Sequence, residues 1–181
     1  MCRRCIFNIT EHKNCSPQKD FYSVGRRRGV LKQLTDDYKF NSERAAATIL
    51  AELFDAILPE LPADTVITPI PTASAHVRQY GFDHTKLLAK KLAKRRKLKV
   101  ASLLIRTNNQ AQHFLKKAER EEAARTAFRL NKNLAMPTNV LLIDDVVTTG
   151  ATLRAARDIL KTAGVKNIKN AVVCYQNKNG V

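Results

Sequence analysis

The chain has 181 residues, which suits one domain with a small appendage, because domains usually run to about 100–200 residues. Hydrophobic residues make up 44% of it, and 32 Lys and Arg against 16 Asp and Glu give a formal charge of +16. No apolar run approaches the roughly 18–20 residues that a membrane span needs, and no apolar stretch behind Met1 indicates a signal peptide, so we expect a cytoplasmic protein. The charge favours a polyanionic partner, such as nucleic acid or a phosphorylated small molecule, with a solvated basic surface as the alternative.

Four candidate metal ligands lie close together at the start of the chain: Cys2, Cys5, His12 and Cys15. Two ligand pairs with short internal spacing suit tetrahedral Zn²⁺, which can order a segment too short to fold alone. Free reduced thiols are the alternative interpretation. We therefore divide the chain into a Cys/His-rich segment, residues 1–21, that would be a zinc knuckle, and an α/β domain, residues 22–181.

Beyond residue 22 the apolar positions change between helical and strand periodicity. The predicted elements in chain order are a helix through Val30–Tyr38, a helix from Ser42 to Leu58, a strand over Thr65–Ile70, a helix over Asp83–Lys97, a strand over Val100–Ile105, a short helix from Glu119, a strand over Val140–Ile143, a helix over Ala151–Thr162 and a strand over Ile168–Tyr175. Because the strands are continuous apolar runs that alternate with helices, we expect a parallel sheet with helices on both faces. Cys174 in the last strand is expected to be buried.

The strand over Val140–Ile143 leads directly into two carboxylates, Asp144 and Asp145. The residues that follow are hydroxylic, small or apolar: Val146, Val147, Thr148, Thr149, Gly150, Ala151 and Thr152. A helix that begins at a glycine binds anions through its free backbone N–H groups and its dipole. The two carboxylates suit the vicinal hydroxyls of a ribose, directly or through Mg²⁺. The pattern therefore predicts a site for a 5-phosphorylated ribose, and an Asp-Asp helix cap is the alternative.

This segment resembles the signature of the type I phosphoribosyltransferases, and the wider chain resembles the ComF family of phosphoribosyltransferase-like proteins linked to natural competence. The second matching region is Ile67–Pro71 followed by Arg78–Asp83. Tyr80 stands where the family usually has Arg, and Asp83 and Ala123 stand where it has Asn. The resemblance implies the type I phosphoribosyltransferase fold, whereas the departures leave open whether the chain is an enzyme.

The resemblance also implies a ligand and a reaction. The ligand would be phosphoribosyl pyrophosphate (PRPP) with Mg²⁺, and the reaction a pentosyl transfer in which pyrophosphate leaves ribose C1. Asp144 and Asp145 would hold the ribose, and the loop Thr72, Ala73 and Ser74 would approach the pyrophosphate, with Arg78 reaching it. Residues 106–119 would form a flap that contributes Arg106, Lys116 or Lys117. His76, His84 and His113 have no Ser or Cys partner at a telling spacing, so we expect surface or loop histidines.

No acidic residue occurs between His84 and Lys117. The predicted nucleic-acid patch within this stretch comprises Lys90, Lys91, Lys94, Arg95, Arg96 and Lys97. Basic residues three and four apart share a helix face and could neutralise phosphates, although a solvated face is the alternative and few aromatics are present for base stacking.

Three functions therefore stay open. The first is a ComF-like phosphoribosyltransferase that binds PRPP and Mg²⁺, with single-stranded DNA and a competence helicase-like protein as the implied partners. The second is a catalytically silent nucleic-acid-binding or adaptor protein on the same fold, and the third is a nucleobase salvage phosphoribosyltransferase. The acceptor substrate and the oligomeric state do not follow from the sequence.

Overall fold

A computed structural model describes residues 20–40, 44–107 and 126–176. Its elements in chain order are β1 (Phe21–Arg26), α1 (Gly29–Phe40), α2 (Ala46–Ile57), β2 (Val66–Pro69), α3 (Ser74–Tyr80), α4 (His84–Arg96), β3 (Lys99–Val100), β4 (Leu104–Arg106), β5 (Phe128–Leu130), β6 (Asn139–Val147), α5 (Ala151–Thr162) and β7 (Asn167–Tyr175). Five strands form one sheet in the order β1-β7-β6-β2-β3, and every neighbouring pair is parallel. The predicted parallel α/β sheet is confirmed.

The central strand β6 divides the interior into two cores. Leu141 and Ile143 point into the core formed with α1, α2 and α4, whereas Val140 and Leu142 point into the core on the other face, which α5 covers. The small antiparallel pair β4–β5 also packs on this second face. Full burial of one such aliphatic side chain is worth about 1.5–3 kcal/mol. The alternation along β6 therefore fixes the sheet between two layers, as predicted.

Several elements differ from the sequence prediction, among them β5, which no pattern predicted. The edge strand β1 was not expected, because its polar and glycine residues hide the strand periodicity; it is held by pairing with β7. Helix α3 begins at Ser74, at the end of the predicted loop, in a region where no helix was predicted. The single strand predicted over Val100–Ile105 is wrong, because β3 pairs with β2 while β4 pairs with β5 in the other sheet.

Several predictions fall outside the described residues. They are the ligand set Cys2, Cys5, His12 and Cys15, the start of the second helix at Ser42, the short helix from Glu119, and Ala123, Lys116, Lys117 and His113. The Cys/His-rich segment and its zinc therefore stay predictions. Across the described ranges, none of the helices has the length and apolar character needed to cross a membrane.

The order of the strands places a crevice between β2 and β6. The chain runs outward from β2 to β3 and then returns as β6 on the other side of β2, so the strand order reverses there. The Ile70 N–H donates to the Ile143 carbonyl over 2.9 Å and keeps the two strands together at their carboxyl ends. In open parallel sheets, ligands bind at the carboxyl ends of the strands at such a reversal. The topology thus selects one edge of the sheet for the site.

Candidate functional site

A cleft of about 210 Å³ opens at the carboxyl ends of β2 and β6. Its walls come from the end of α1, the loop after β2, α3, the start of α4, the end of β4, the end of β6 and the start of α5. Asp144, Asp145, Val146 and Thr152 line it together with Thr72 and Ala73. The cleft therefore unites the two loops that the sequence predicted as separate parts of one site.

The carboxylate of Asp145 is buried, and each of its two oxygens contacts a polar group of the protein. Its Oδ2 lies 2.7 Å from Nζ of Lys39, the penultimate residue of α1, and its Oδ1 accepts a hydrogen bond from the Val146 N–H. Burial acts to raise the pKa of Asp145, but the charge and hydrogen bond of Lys39 outweigh it and hold that pKa below its usual range. Asp145 is therefore ionised at neutral pH and fixed in one orientation.

The pKa of Asp144 is shifted in the opposite direction from that of Asp145. Burial and the neighbouring charge of Asp145 raise the pKa of Asp144 above its usual range. Its Oδ1 accepts a hydrogen bond from the Asp145 N–H over 2.8 Å, and it forms no ion pair with any residue in the described ranges. A cation or a hydrogen-bond donor in the cleft would therefore stabilise the ionised form of Asp144.

The loop between β6 and α5 ends at Gly150, which has a φ of +74° and caps the helix. The Thr149 hydroxyl accepts a hydrogen bond from the Ala151 N–H, and Arg154 folds back so that its Nη1 donates to the Thr149 carbonyl over 2.8 Å. Thr152, in the first turn of α5, lines the cleft, and a helix N-terminus at that position favours an anion.

The loop after β2 is held by Asp83. One carboxylate oxygen of Asp83 accepts from the Thr72 hydroxyl over 3.0 Å and from the Lys86 N–H over 2.9 Å. The second contact caps the N-terminus of α4. Asp83, which departs from the family pattern, therefore retains the oxygen acceptor that both contacts need.

One wall of the cleft is aromatic. The rings of Phe40 and His76 lie 5.9 Å and 6.2 Å from the ring of Tyr80, which is in turn 5.7 Å from His84. Phe40 is 53% exposed, so a flat apolar surface faces the opening. His84 is only 3% exposed, and its Nε2 has no hydrogen-bond partner in the described part of the chain. Burial lowers the pKa of His84 against the opposing pull of Asp145.

Arg106 supplies a cation to the same cleft. Its guanidinium lies over the Phe128 ring, 5.4 Å from the ring centroid, and its Nη1 donates to the Pro71 carbonyl over 3.3 Å. Burial lowers the pKa of Arg106, an effect that the charge of Asp144 opposes. Because guanidinium stays charged at all physiological pH values, Arg106 is a fixed positive charge for an anionic ligand.

The geometry matches a family of known proteins. A family model described as the phosphoribosyl transferase domain matches residues 87–180, just over half of the chain. The chain belongs to this family. The matched region includes most of α4, all of β6, the loop at Gly150 and α5, and thus the acidic pair and the helix N-terminus beside the cleft.

Two relatives narrow the similarity within the phosphoribosyl transferase family. The chain is 28% identical over 173 residues to the competence protein ComFC of Bacillus subtilis, which covers 94% of this chain and 70% of the relative. It is 24% identical over 140 residues to the competence protein ComFC of Streptococcus pneumoniae, with 77% of this chain and 61% of the relative covered. The resemblance to the ComF family is confirmed. The chain spans about two thirds of the length of these relatives.

Solved structures with the same fold include the allosteric regulatory enzyme of purine biosynthesis and the glutamine PRPP amidotransferase of Bacillus subtilis, the latter complexed with ADP and GMP. Each is 18% identical, has a TM-score of 0.52, and matches 76% of this chain against 30% of its own. At this identity the likeness establishes the phosphoribosyl transferase fold alone.

Not all predicted site residues line the cleft. Arg78 is exposed on α3 and is absent from the cleft lining, and Ser74 begins that helix just outside the lining. Of the predicted loop, Val146 and Thr152 line the cleft, whereas residues 147–151 between them do not. The expectation that His84 is a surface or loop residue is wrong, because the turn before α4 folds it beneath Tyr38 and Phe82. Arg106, the first residue of the predicted flap, does line the cleft.

The predicted nucleic-acid patch separates into two groups. Arg95 and Arg96 pair with carboxylates of α2, Arg95 with Glu52 and Asp55 and Arg96 with Asp55. Arg96 also donates to the carbonyls of Asp55, Leu58 and Pro59, so it joins α4 to the end of α2. The lysines of the patch are exposed: Lys90, Lys91, Lys94 and Lys97. The part of the patch open to a ligand is therefore these four lysines.

Sequence reasoning missed Lys39 and underestimated His84. Lys39 precedes Phe40 at the end of α1 and looks like an ordinary last-turn lysine, because its role depends on the distant Asp145. An available signal was the aromatic spacing of Tyr80, Phe82 and His84, which indicates a buried turn. Within the described ranges no group of three or more His, Cys, Asp or Glu is arranged to hold a metal ion.

Proposed function

We propose that this chain binds PRPP with Mg²⁺ in the cleft and transfers its phosphoribosyl group, in the setting of natural competence and in the cytoplasm. The observation that carries the proposal is the convergence of Asp144 and Asp145 with the N-terminus of α5 at the strand-order reversal. The carboxylates suit the ribose hydroxyls, and the N–H groups of α5 with Thr152 suit the 5-phosphate. The names of the two ComFC relatives support the competence setting.

The transfer needs charge stabilisation more than a nucleophilic side chain. The bond between ribose C1 and the pyrophosphate oxygen breaks with its electron pair on that oxygen, while an acceptor lone pair forms the new bond to C1 and the acceptor loses a proton. The ionised Asp145 would favour the positive charge that develops on the ribose, and Arg106 would favour the negative charge on pyrophosphate.

The residues present fit Mg²⁺. Magnesium prefers oxygen ligands and is held in such sites by one or two carboxylates together with substrate phosphates. Asp144 supplies a half-buried carboxylate that lies beside a second charge and is not paired with a described cation, so a metal ion would offset the energy of ionising it. When bound, the ion would neutralise charge on the pyrophosphate.

The aromatic wall of the cleft indicates what kind of acceptor substrate would fit there. Phe40 and Tyr80 offer a flat surface, and His84 offers an unpartnered Nε2 at the back of the cleft. This combination suits a planar acceptor with polar edges and supports the nucleobase salvage alternative within the same reaction class.

A second candidate function rests on a separate surface. Lys90, Lys91, Lys94 and Lys97 are exposed on and just after α4 and could neutralise phosphates of single-stranded DNA. This supports a catalytically silent nucleic-acid-binding or adaptor protein if the cleft binds PRPP without turnover. A helicase-like partner follows from the ComF resemblance and stays a prediction.

The deciding experiment measures PRPP binding calorimetrically in Mg²⁺ and pyrophosphate release with and without nucleobases or DNA. Asp145→Asn removes the charged carboxylate of the cleft, and Asp158→Asn is the matched control because Asp158 is exposed on α5 and outside the lining. We expect PRPP to bind the wild type and the Asp158→Asn control. We expect no PRPP binding to Asp145→Asn, with circular dichroism used to verify that this variant is folded. PRPP binding that is unchanged in Asp145→Asn would refute the proposed site, and binding without pyrophosphate release would favour the adaptor function.

A further inference from the structure

A second pocket lies at the amino ends of the strands, on the opposite side of the sheet's length from the cleft at their carboxyl ends. It has a volume of about 270 Å³ and opens where β6 and β7 begin, next to the turn that precedes β2. We call it the basal pocket; the residues that matter for its chemistry are Thr65, Asn139, Arg157, Lys166, Asn167 and Lys169. At a rise of about 3.3 Å per residue, Asn139 is roughly 17 Å along β6 from Asp144, so the basal pocket is separate from the cleft.

The basal pocket has an excess of positive charge. Lys169 pairs with Asp20 over 2.9 Å. The side chains of Arg157 and Lys166 form no ion pair or hydrogen bond with the residues that the structure describes. The carboxylate of Asp64 accepts two contacts of 2.8 Å, and the Asn139 amide donates both. Two cations at the opening are therefore available to an anion.

Polar groups inside the pocket add directionality. Thr65 is 3% exposed, and its hydroxyl has no hydrogen-bond partner among the described residues. The Asn167 amide donates to Asn139 Oδ1 over 2.9 Å, which fixes the two side chains at the start of β6 and β7. An unpartnered buried hydroxyl carries a free-energy penalty, and a ligand that accepts its hydrogen bond would remove that penalty.

The floor of the pocket is apolar and determines what kind of anion fits. Leu61, Pro62, Val140 and Ile168 line it. A bare inorganic ion would leave this surface without contacts, whereas an organic phosphate could place its phosphate at Arg157 and Lys166 and its organic part on the floor. We propose that the basal pocket is a binding site for an organic phosphate, of the size and character of a nucleotide, that is distinct from the PRPP cleft.

The test is site-resolved NMR on the full chain. The probe is adenosine monophosphate (AMP), with adenosine as the control without a phosphate. We expect AMP to shift the backbone amide signals of Asn139, Lys166 and Asn167, and adenosine to leave them unmoved. A short single-stranded oligothymidylate is a further probe. If it binds more tightly than AMP at the same signals, the source of the phosphate is nucleic acid. If it binds more weakly than AMP, the source is a free nucleotide.

The matched variants are Arg157→Gln and Lys161→Gln. Both remove one cation from α5, but Lys161 is exposed and outside the pocket lining. Loss of a charge-assisted hydrogen bond should weaken AMP binding at the basal signals about tenfold in Arg157→Gln. Lys161→Gln should bind as the wild type does. The proposal is overturned if AMP shifts only the signals of Val146–Thr152, if adenosine binds as well as AMP, or if the two variants bind alike.

This outcome does not depend on the function of the cleft. The AMP titration can be repeated with Asp145→Asn, which lacks the charged carboxylate of the cleft, and the basal signals should respond as before. Failure of PRPP to bind would refute the proposed function and leave the basal-pocket result interpretable.

Discussion

Nζ of Lys39 lies 2.7 Å from Oδ2 of Asp145, and this ion pair connects the end of α1 to the end of the central strand. The two side chains are 26% and 11% exposed, so solvent screens the pair only partly. The lysine keeps ionised the carboxylate that would bind ribose hydroxyls, and it occupies one of that carboxylate's two oxygens. A ligand that binds Oδ2 of Asp145 must therefore share that oxygen with Lys39 or displace Lys39 from it.

Replacing Lys39 by Met should destabilise the protein by about 1–3 kcal/mol, because it leaves a buried carboxylate without its partner. The measurement is urea unfolding at pH 7. Lys32→Met is the matched control on the same helix: Lys32 is 54% exposed and pairs with Asp36, so its loss should cost less than about 1 kcal/mol. Equal losses in the two variants would show that the Lys39 pair contributes no more than a surface pair.

The same ion pair predicts a dependence on acid. Lys39 holds the pKa of Asp145 below its unfolded value, so the stabilisation is present above that unfolded value and is lost as the pH falls through the folded one. Acid unfolding followed by fluorescence or circular dichroism should therefore show a smaller stability loss below about pH 4 in Lys39→Met than in the wild type. A steeper acid loss in the variant would contradict the assignment.

Asp144 predicts the opposite sign. Its folded pKa is raised above the unfolded value, so the folded state binds the extra proton and this contribution to stability declines as the pH rises from the ordinary carboxyl range toward the raised value. Asp144→Asn should flatten this part of the stability–pH curve. Addition of Mg²⁺ should flatten it in the wild type alone, because the ion favours the charged carboxylate. Identical curves with and without Mg²⁺ would count against Asp144 as a metal ligand.

Gly150 and Gly164 form a matched pair for the loop at α5. Both have positive φ angles, +74° and +96°, so alanine at either position should cost about 1–2 kcal/mol in the free energy of unfolding. Only at Gly150 would the new Cβ meet another group, Nη1 of Arg154 at 3.1 Å, whereas the space at Gly164 is open. We expect PRPP affinity, measured by calorimetry, to fall in Gly150→Ala alone; an equal fall in Gly164→Ala would mean that lost stability is the cause.

Arg96 and Lys94 separate the structural from the ligand-facing part of the basic segment. Arg96→Ala removes contacts with Asp55 and three carbonyls and should lower the free energy of unfolding by about 2–3 kcal/mol. Lys94→Ala should change it by less than about 0.5 kcal/mol. In fluorescence anisotropy with single-stranded DNA, Lys94→Ala should reduce the salt slope by about 0.7 for one lost phosphate contact. An unchanged slope would remove Lys94 from the proposed surface.

Local sequence determined the parallel sheet, the acidic pair and the helix at Gly150. These features follow from contiguous patterns, because each is formed by residues that are neighbours in the chain. The patterns are four apolar residues in β6, two adjacent carboxylates, and a glycine at the start of a helix. The helix over Ala151–Thr162 agrees with the prediction to the residue, and the buried Cys174 is also confirmed. A local pattern carries enough information where hydrophobic periodicity and turn chemistry point to the same structure.

Only the tertiary structure decided which charges act where. The +16 charge indicated a polyanion but could not distinguish Arg96, which joins two helices, from the neighbouring exposed lysines. It could not show that Lys39 contacts Asp145 or that Arg157 and Lys166 line the basal pocket. Charged side chains lack a sequence period that reports their partner, because a partner is set by the packing of distant elements and by the burial that follows. The sequence therefore established the fold and the acidic loop, and the three-dimensional packing divided the positive charge among structural positions, positions in the cleft and positions exposed to a ligand.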